Sequence, residues 1–188
     1  VLSFSNHVSL FDDPLLTSNF GRTRHRDVRW IPADHLNFFG TSWKGALFSA
    51  GKCVPVVRGG GLEQPGLQFL VDRLKEGAWV HIFPEGGRSR EVDARLRMPF
   101  KTGIGRLILQ AQPRLLPFYH LGMQRILPIG SRWPASGQTV EVFVDSHQDV
   151  DDAFLAEVAP EEQDGQKERE RWGMATRWCE ARLAALEE

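Results

Sequence analysis

Much is scarce in this chain of 188 residues. It has two cysteines, Cys53 and Cys179, too few for a disulfide framework. No run of eighteen or so apolar residues occurs, so no segment reads as a membrane-spanning helix. Lys and Arg number 23 against 24 Asp and Glu, so net charge points to no nucleic-acid partner. The six histidines fall at no zinc-site spacing, and no metal is implied. A P-loop needs four residues between its first glycine and Gly-Lys. Five separate Gly45 from Gly51-Lys52, and Cys53 stands where Ser or Thr belongs. Gly59-Gly60-Gly61 lacks the dinucleotide-binding spacing, and no Gly-x-Ser-x-Gly elbow exists. No cofactor is therefore expected. Internal repeats and a signal or transit peptide are also not visible. The chain nevertheless opens inside an apolar run, so the expectation is that an N-terminal segment precedes it, with any targeting sequence or anchor.

What is present is alternation. Apolar runs at Val1–Ser5, Val28–Ile31, Cys53–Val57, Trp79–Phe83, Leu115–Tyr119 and Val140–Val144 read as strands. Between them, Leu67, Leu70, Val71 and Leu74 follow Pro65 at helical spacing, as do Ile104, Leu107, Ile108 and Ala111. Gly77 and Pro113 punctuate the ends of these two helices. Interleaved strands and helices predict one α/β domain over residues 1–188, with a largely parallel sheet flanked by helices. Acidic residues concentrate after Asp145. Glu161 to Arg171 is almost wholly polar, and Trp172, Ala175, Cys179, Leu183 and Leu186 then mark a closing helix. That stripe predicts packing on the domain; the alternative is a membrane-surface or partner helix.

Chemistry concentrates in Asn6-His7-Val8-Ser9-Leu10-Phe11-Asp12-Asp13-Pro14. On one helix, His7 and Asp12 would point about 140° apart, so they can meet only across a turn. Asp13 suits an N-cap and Pro14 the first helical position, which predicts strand, tight loop, then a helix from Pro14. Asp12 can then fold back and hold the His7 imidazole in one tautomer, the base-and-orienter half of a catalytic site. Arg58 and Glu85 also lie just past predicted strand ends, the edge where ligands gather in parallel α/β sheets.

Asn6-His7-x-Ser9-x-x-Asp12-Asp13 resembles the first motif of the glycerophospholipid (lysophosphatidate-type) acyltransferases, in their tafazzin-like form. Gly51-Lys52-Cys53-Val54-Pro55-Val56-Val57-Arg58-Gly59 is similar to the second motif, and Trp79-Val80-His81-Ile82-Phe83-Pro84-Glu85-Gly86 to the third. Gly103–Ile108 and Leu115–Met123 resemble the segment that ends in the fourth. The resemblance runs from about Val1 to Val144 and keeps the family's motif order.

The resemblance implies the glycerolipid acyltransferase fold, with a mixed sheet, and His7 and Asp12 as catalytic base and orienter. It implies substrate contacts from Arg58, Gly59, Glu85, Gly86, Arg88 and Ser89. Arg58 would grip a phosphate with two hydrogen bonds, beside glycines that let the backbone approach. Glu85 would bond a glycerol hydroxyl or order the basic groups around the phosphate. Ser9 is not needed as a nucleophile, because the acceptor's own hydroxyl attacks the acyl carbonyl. The implied activity moves fatty acyl chains between phospholipids and lysophospholipids without CoA, as in cardiolipin remodelling. Arg88-Ser89 matches the general acyltransferases better than the tafazzin type, which leaves an acyl-CoA donor open. A catalytically inactive lipid-binding module is the rival from another class. The implied location is peripheral, on a mitochondrial membrane. Two basic clusters, Arg22–Arg29 and Arg88–Arg106, suit either anionic head groups or plain solvated faces. Phe38, Phe39, Trp43 and Phe48 are open to two readings, core or membrane-facing patch.

Overall fold

The computed structural model describes residues 1–16, 24–89, 93, 95–128, 130–160 and 168–188. Arg22, Arg90, Glu91 and residues 161–167 of the polar tail lie outside the described residues.

Six strands form: β1 (Leu2–Phe4), β2 (Ile31–Asp34), β3 (Cys53–Val56), β4 (Val80–Ile82), β5 (Leu115–Leu121) and β6 (Glu141–Val144). The main sheet runs β4-β1-β5-β6, with β1 parallel to both β4 and β5 and β6 antiparallel at the edge. β2 and β3 pair in parallel and join the main sheet through a bridge from Trp30 to Val80. The fold is thus α/β with a mostly parallel mixed sheet. Seven helices accompany the strands among the described residues: α1 (His35–Phe38), α2 (Ser42–Ala50), α3 (Pro65–Lys75), α4 (Gly103–Ala111), α5 (Met123–Ile126), α6 (Asp152–Val158) and α7 (Glu168–Glu187).

Burial explains why these segments took these forms. The helical repeats in α3 and α4 bury Leu67, Leu70, Val71 and Leu74, and Ile104, Leu107 and Ile108. Leu2, Phe4, Val80 and Leu115, at or below one per cent exposure, complete the centre of the core. α7 closes it with Trp172, Ala175, Cys179 and Leu183, so the closing helix packs on the domain. Contact with α4 is so close that a Cβ on Gly105 would stand 1.9 Å from the carbonyl oxygen of Trp172.

Two local expectations change. The second strand begins at Ile31, not Val28, because the Val28 carbonyl accepts the Lys52 ammonium (3.1 Å) instead of a neighbouring strand. After the His7 loop, Asp12–Leu16 forms a π-helical turn that starts one residue before the expected cap. Asp13 falls inside this turn, and its carboxylate ion-pairs with the buried guanidinium of Arg29.

Candidate active site

β1 ends at Phe4, and the next residues turn over the carboxyl edge of the sheet. There His7 Nδ1 lies 2.8 Å from Asp12 Oδ2. A carboxylate only accepts, so Nδ1 carries the proton and Nε2 is left with a free lone pair. The imidazole stacks on Phe83, with centroids 4.0 Å apart and planes 11° apart. Asp12 is fully buried, and the same Oδ2 accepts the Val8 and Ser9 backbone N–H groups at 2.7 and 2.9 Å. One oxygen therefore fixes both the ring and the loop that carries it.

Glu85, beyond β4, fixes the same loop from the other side. Its Oε1 accepts the His7 N–H at 2.6 Å, and its Oε2 accepts the Arg97 N–H at 2.9 Å. The side chain is 2% exposed, and burial pushes its pKa up to about 7 against the pull of those two bonds. Ser89 is buried, and its N–H donates to the His7 carbonyl at 2.7 Å. In this geometry Glu85 and Ser89 hold protein backbone.

Arg58 follows β3, and its Nε lies 3.0 Å from Asp34 Oδ2 at the end of β2. Gly59, with φ of 77°, lies beside it on the groove wall. The second basic cluster separates. Arg97 and Lys101 line the groove with Gly86 and Gly87, whereas Arg88 is not among the lining residues. Arg106 is buried elsewhere, bonded to Leu62, Gln68 and Gln110. The first cluster separates too: Arg29 is interior, and Arg24 pairs with Asp27 at 2.6 Å.

These groups share one groove of about 960 Å³. His7, Arg58, Glu85 and Arg97 are among its polar lining residues; Val56, Leu67, Ile82, Phe38, Leu47 and Phe48 are among its apolar ones. Cys53 also lines it, but burial raises its thiol pKa to about 11, so it stays protonated and is no nucleophile. Of the four aromatic residues in the α1–α2 region, only Trp43 is strongly exposed, at 66%. Phe38 and Phe48 pack edge-to-face at 4.8 Å, and Leu36 (80%) and Leu47 (59%) supply the rest of the exposed surface.

Sequence reasoning passed over three features. Asp34 sits at a strand's carboxyl end and could have been found by the rule that found Arg58. Arg97 was seen only as one member of a basic stretch. Asn6 was quoted without a role; its amide exchanges two bonds with the backbone of His120 at 2.9 and 3.0 Å, tying β1 to β5 beneath the loop. His120 and His81 are buried beside it, and burial lowers both pKa values, so both are neutral.

The acyltransferase family model matches residues 1–121, most of the chain and every residue named for this site. The chain belongs to the acyltransferase family. It is 37% identical over 140 residues to a Dictyostelium discoideum protein named taffazin, covering 69% of this chain and 47% of that one. Tafazzin of Drosophila melanogaster is 35% identical over 133 residues, covering 68% and 34%. N-acylphosphatidylethanolamine synthase of Arabidopsis thaliana is 34% identical over 133 residues, covering 68% and 46%. The chain thus spans about half or less of the length of these relatives. The crystal structure of PlsC, the 1-acyl-sn-glycerophosphate acyltransferase of Thermotoga maritima, superposes with a TM-score of 0.58 at 22% identity. That match covers 98% of this chain and 65% of PlsC, a likeness of fold.

Proposed function

We propose that this acyltransferase domain moves fatty acyl chains from a phospholipid to a lysophospholipid without CoA. The carrying observation is the His7–Asp12 pair, with His7 lining a largely apolar groove that Arg58 also lines. His7 Nε2 accepts the proton of the acceptor hydroxyl as that oxygen bonds to the acyl carbonyl. The tetrahedral intermediate then expels the donor's glycerol oxygen, which takes the proton back from the imidazolium. Asp12 keeps the ring in the required tautomer and stabilises its cationic form. The leaving group and the acceptor are both glycerol hydroxyls, so one base serves both half-reactions. The apolar wall suits the acyl chain, and Arg58 the phosphate. The tafazzin-named relatives support the CoA-free donor and, by extension, cardiolipin remodelling on a mitochondrial membrane.

A membrane surface is the proposed place of work. No helix of the described residues is long and apolar enough to cross a bilayer. Trp43 and Leu47, one turn apart, give α2 an exposed apolar face, Leu36 on α1 is exposed too, and Leu47 also lines the groove. Such a face suits insertion among lipids, where an acyl chain could pass directly into the groove.

The deciding experiment incubates full-length protein with acyl-labelled phosphatidylcholine and lysophosphatidylcholine, with and without added acyl-CoA. Label should reach the acceptor without CoA. Transfer only from acyl-CoA would replace the donor assignment, and lipid binding with no transfer from either donor would favour the inactive module. In parallel, full-length protein should float with anionic liposomes, less so at high salt.

A further inference from the structure

Two guanidinium groups converge in the groove. A Cβ on Gly87 would stand 3.6 Å from Nη1 of Arg97 and 3.8 and 3.9 Å from Nη1 and Nη2 of Arg58. Like charges gathered at one point need an opposite charge. Asp34 answers Arg58 at 3.0 Å. The Arg97 guanidinium has no ion pair among the described residues, and neither has Lys101.

The segment that carries these two cations is fixed to the catalytic loop. The Arg97 N–H donates to Glu85 Oε2 while the His7 N–H donates to Oε1, so one carboxyl group spaces the base and this arginine. The Lys101 N–H donates to the Pro84 carbonyl at 2.7 Å, and its side chain lies over Gly86, where a Cβ would meet Cγ at 2.8 Å. A phosphate bridging two guanidiniums holds their nitrogens roughly 5–8 Å apart, given N–O distances of about 2.8 Å on each side. Both guanidiniums reach within 4 Å of one point, which puts them no farther apart than one phosphate can bridge.

We propose that Arg97, supported by Lys101, is the second phosphate-binding cation of the groove, and that a lysolipid's glycerophosphate sits between Arg97 and Arg58. The resemblance implied a substrate contact from Arg88; Arg97 lies outside the motifs. This rests on the glycerophospholipid reading above.

The test has a binding arm and a transfer arm. In the first, full-length protein is titrated calorimetrically with glycerol 3-phosphate, inorganic phosphate and glycerol. Arg97→Gln should weaken glycerol 3-phosphate binding about tenfold or more, with Arg97→Lys intermediate, because lysine keeps the charge and loses the fork. Arg88→Gln should weaken it less than Arg97→Gln does. In the second arm, Arg97→Gln should raise the KM for lysophosphatidylcholine about tenfold and change kcat by less than about threefold. Circular dichroism checks the fold, and Arg97→Lys carries the test if the glutamine variant fails to fold. Unchanged binding in Arg97→Gln, a larger loss in Arg88→Gln, or a loss confined to kcat would overturn the proposal. So would wild-type protein that binds no glycerol 3-phosphate. Equal, Arg97-dependent affinity for inorganic phosphate would overturn the assignment to a lipid head group. Arg97-dependent binding of glycerol 3-phosphate without any acyl transfer would uphold the cradle and refute the acyltransfer reading instead.

Discussion

Helices α7 and α2 both carry tryptophan and aliphatic residues, yet they meet opposite fates. α7 buries Trp172, Ala175, Thr176, Cys179 and Leu183, whereas α2 has no buried residue. The difference lies in what faces each helix. α7 meets α4 at a glycine, so the backbones touch and the stripe is sealed. Among the described residues α2 packs mainly against the short α1 and β3, and its Leu47 and Phe48 are left at the groove. The packed side holds the fold; the open side borders the groove. Stability and activity should therefore separate when the two sides are mutated.

The largest expected effect is on the packed side. Leu183→Ala removes a fully buried side chain and should cost about 2–5 kcal/mol, read by chemical denaturation. A loss under 1 kcal/mol would mean that α7 is not sealed.

Glu85 comes next, with a sign of its own. Its folded pKa of about 7 lies above the ordinary 4.5, so the folded state holds the proton more tightly. Stability from this group is fully present below about pH 4.5 and is lost as pH rises through about 7, on the order of 3 kcal/mol. Denaturation of wild type and Glu85→Gln at pH 5 and pH 8 checks this. The wild type should lose more stability than the variant between the two, and equal losses would contradict it.

Asp12→Asn should lower turnover roughly 10- to 100-fold, about 1.4–2.7 kcal/mol in the barrier, because the base survives while its tautomer is no longer held. Kinetics on liposomes reads this. Smallest in stability is Leu47→Ala on the open side, within about 0.5 kcal/mol of wild type. Its liposome flotation and transfer rate should nevertheless fall, and unaltered flotation of a Leu36, Trp43 and Leu47 triple serine variant would remove α1–α2 from the membrane contact.

The alternation of apolar runs and helical repeats made the α/β fold and most strand positions legible, because period and punctuation are local. The start of β2 was not legible, since it depends on Lys52 reaching the Val28 carbonyl from 24 residues away. The meeting of His7 and Asp12 could be read from spacing across a turn. Arg97 could not, because nothing local separates it from Arg88 or Arg95; only Glu85, twelve residues away, draws its backbone to the site. Charge runs mislead for the same reason. Arg29 and Arg106 are interior struts that composition counts as surface. The two readings of Phe38 and Phe48 also met in one place, since half-buried residues that pack together line the groove.

The central claim is that His7 is the base of an acyl transfer in this groove. The most direct measurement compares wild type with folded His7→Ala in transfer of label from phosphatidylcholine to lysophosphatidylcholine on liposomes. The account predicts a loss of about 10²–10⁴-fold in turnover, with the melting temperature and liposome binding little changed. Transfer by His7→Ala within a few-fold of wild type would contradict it.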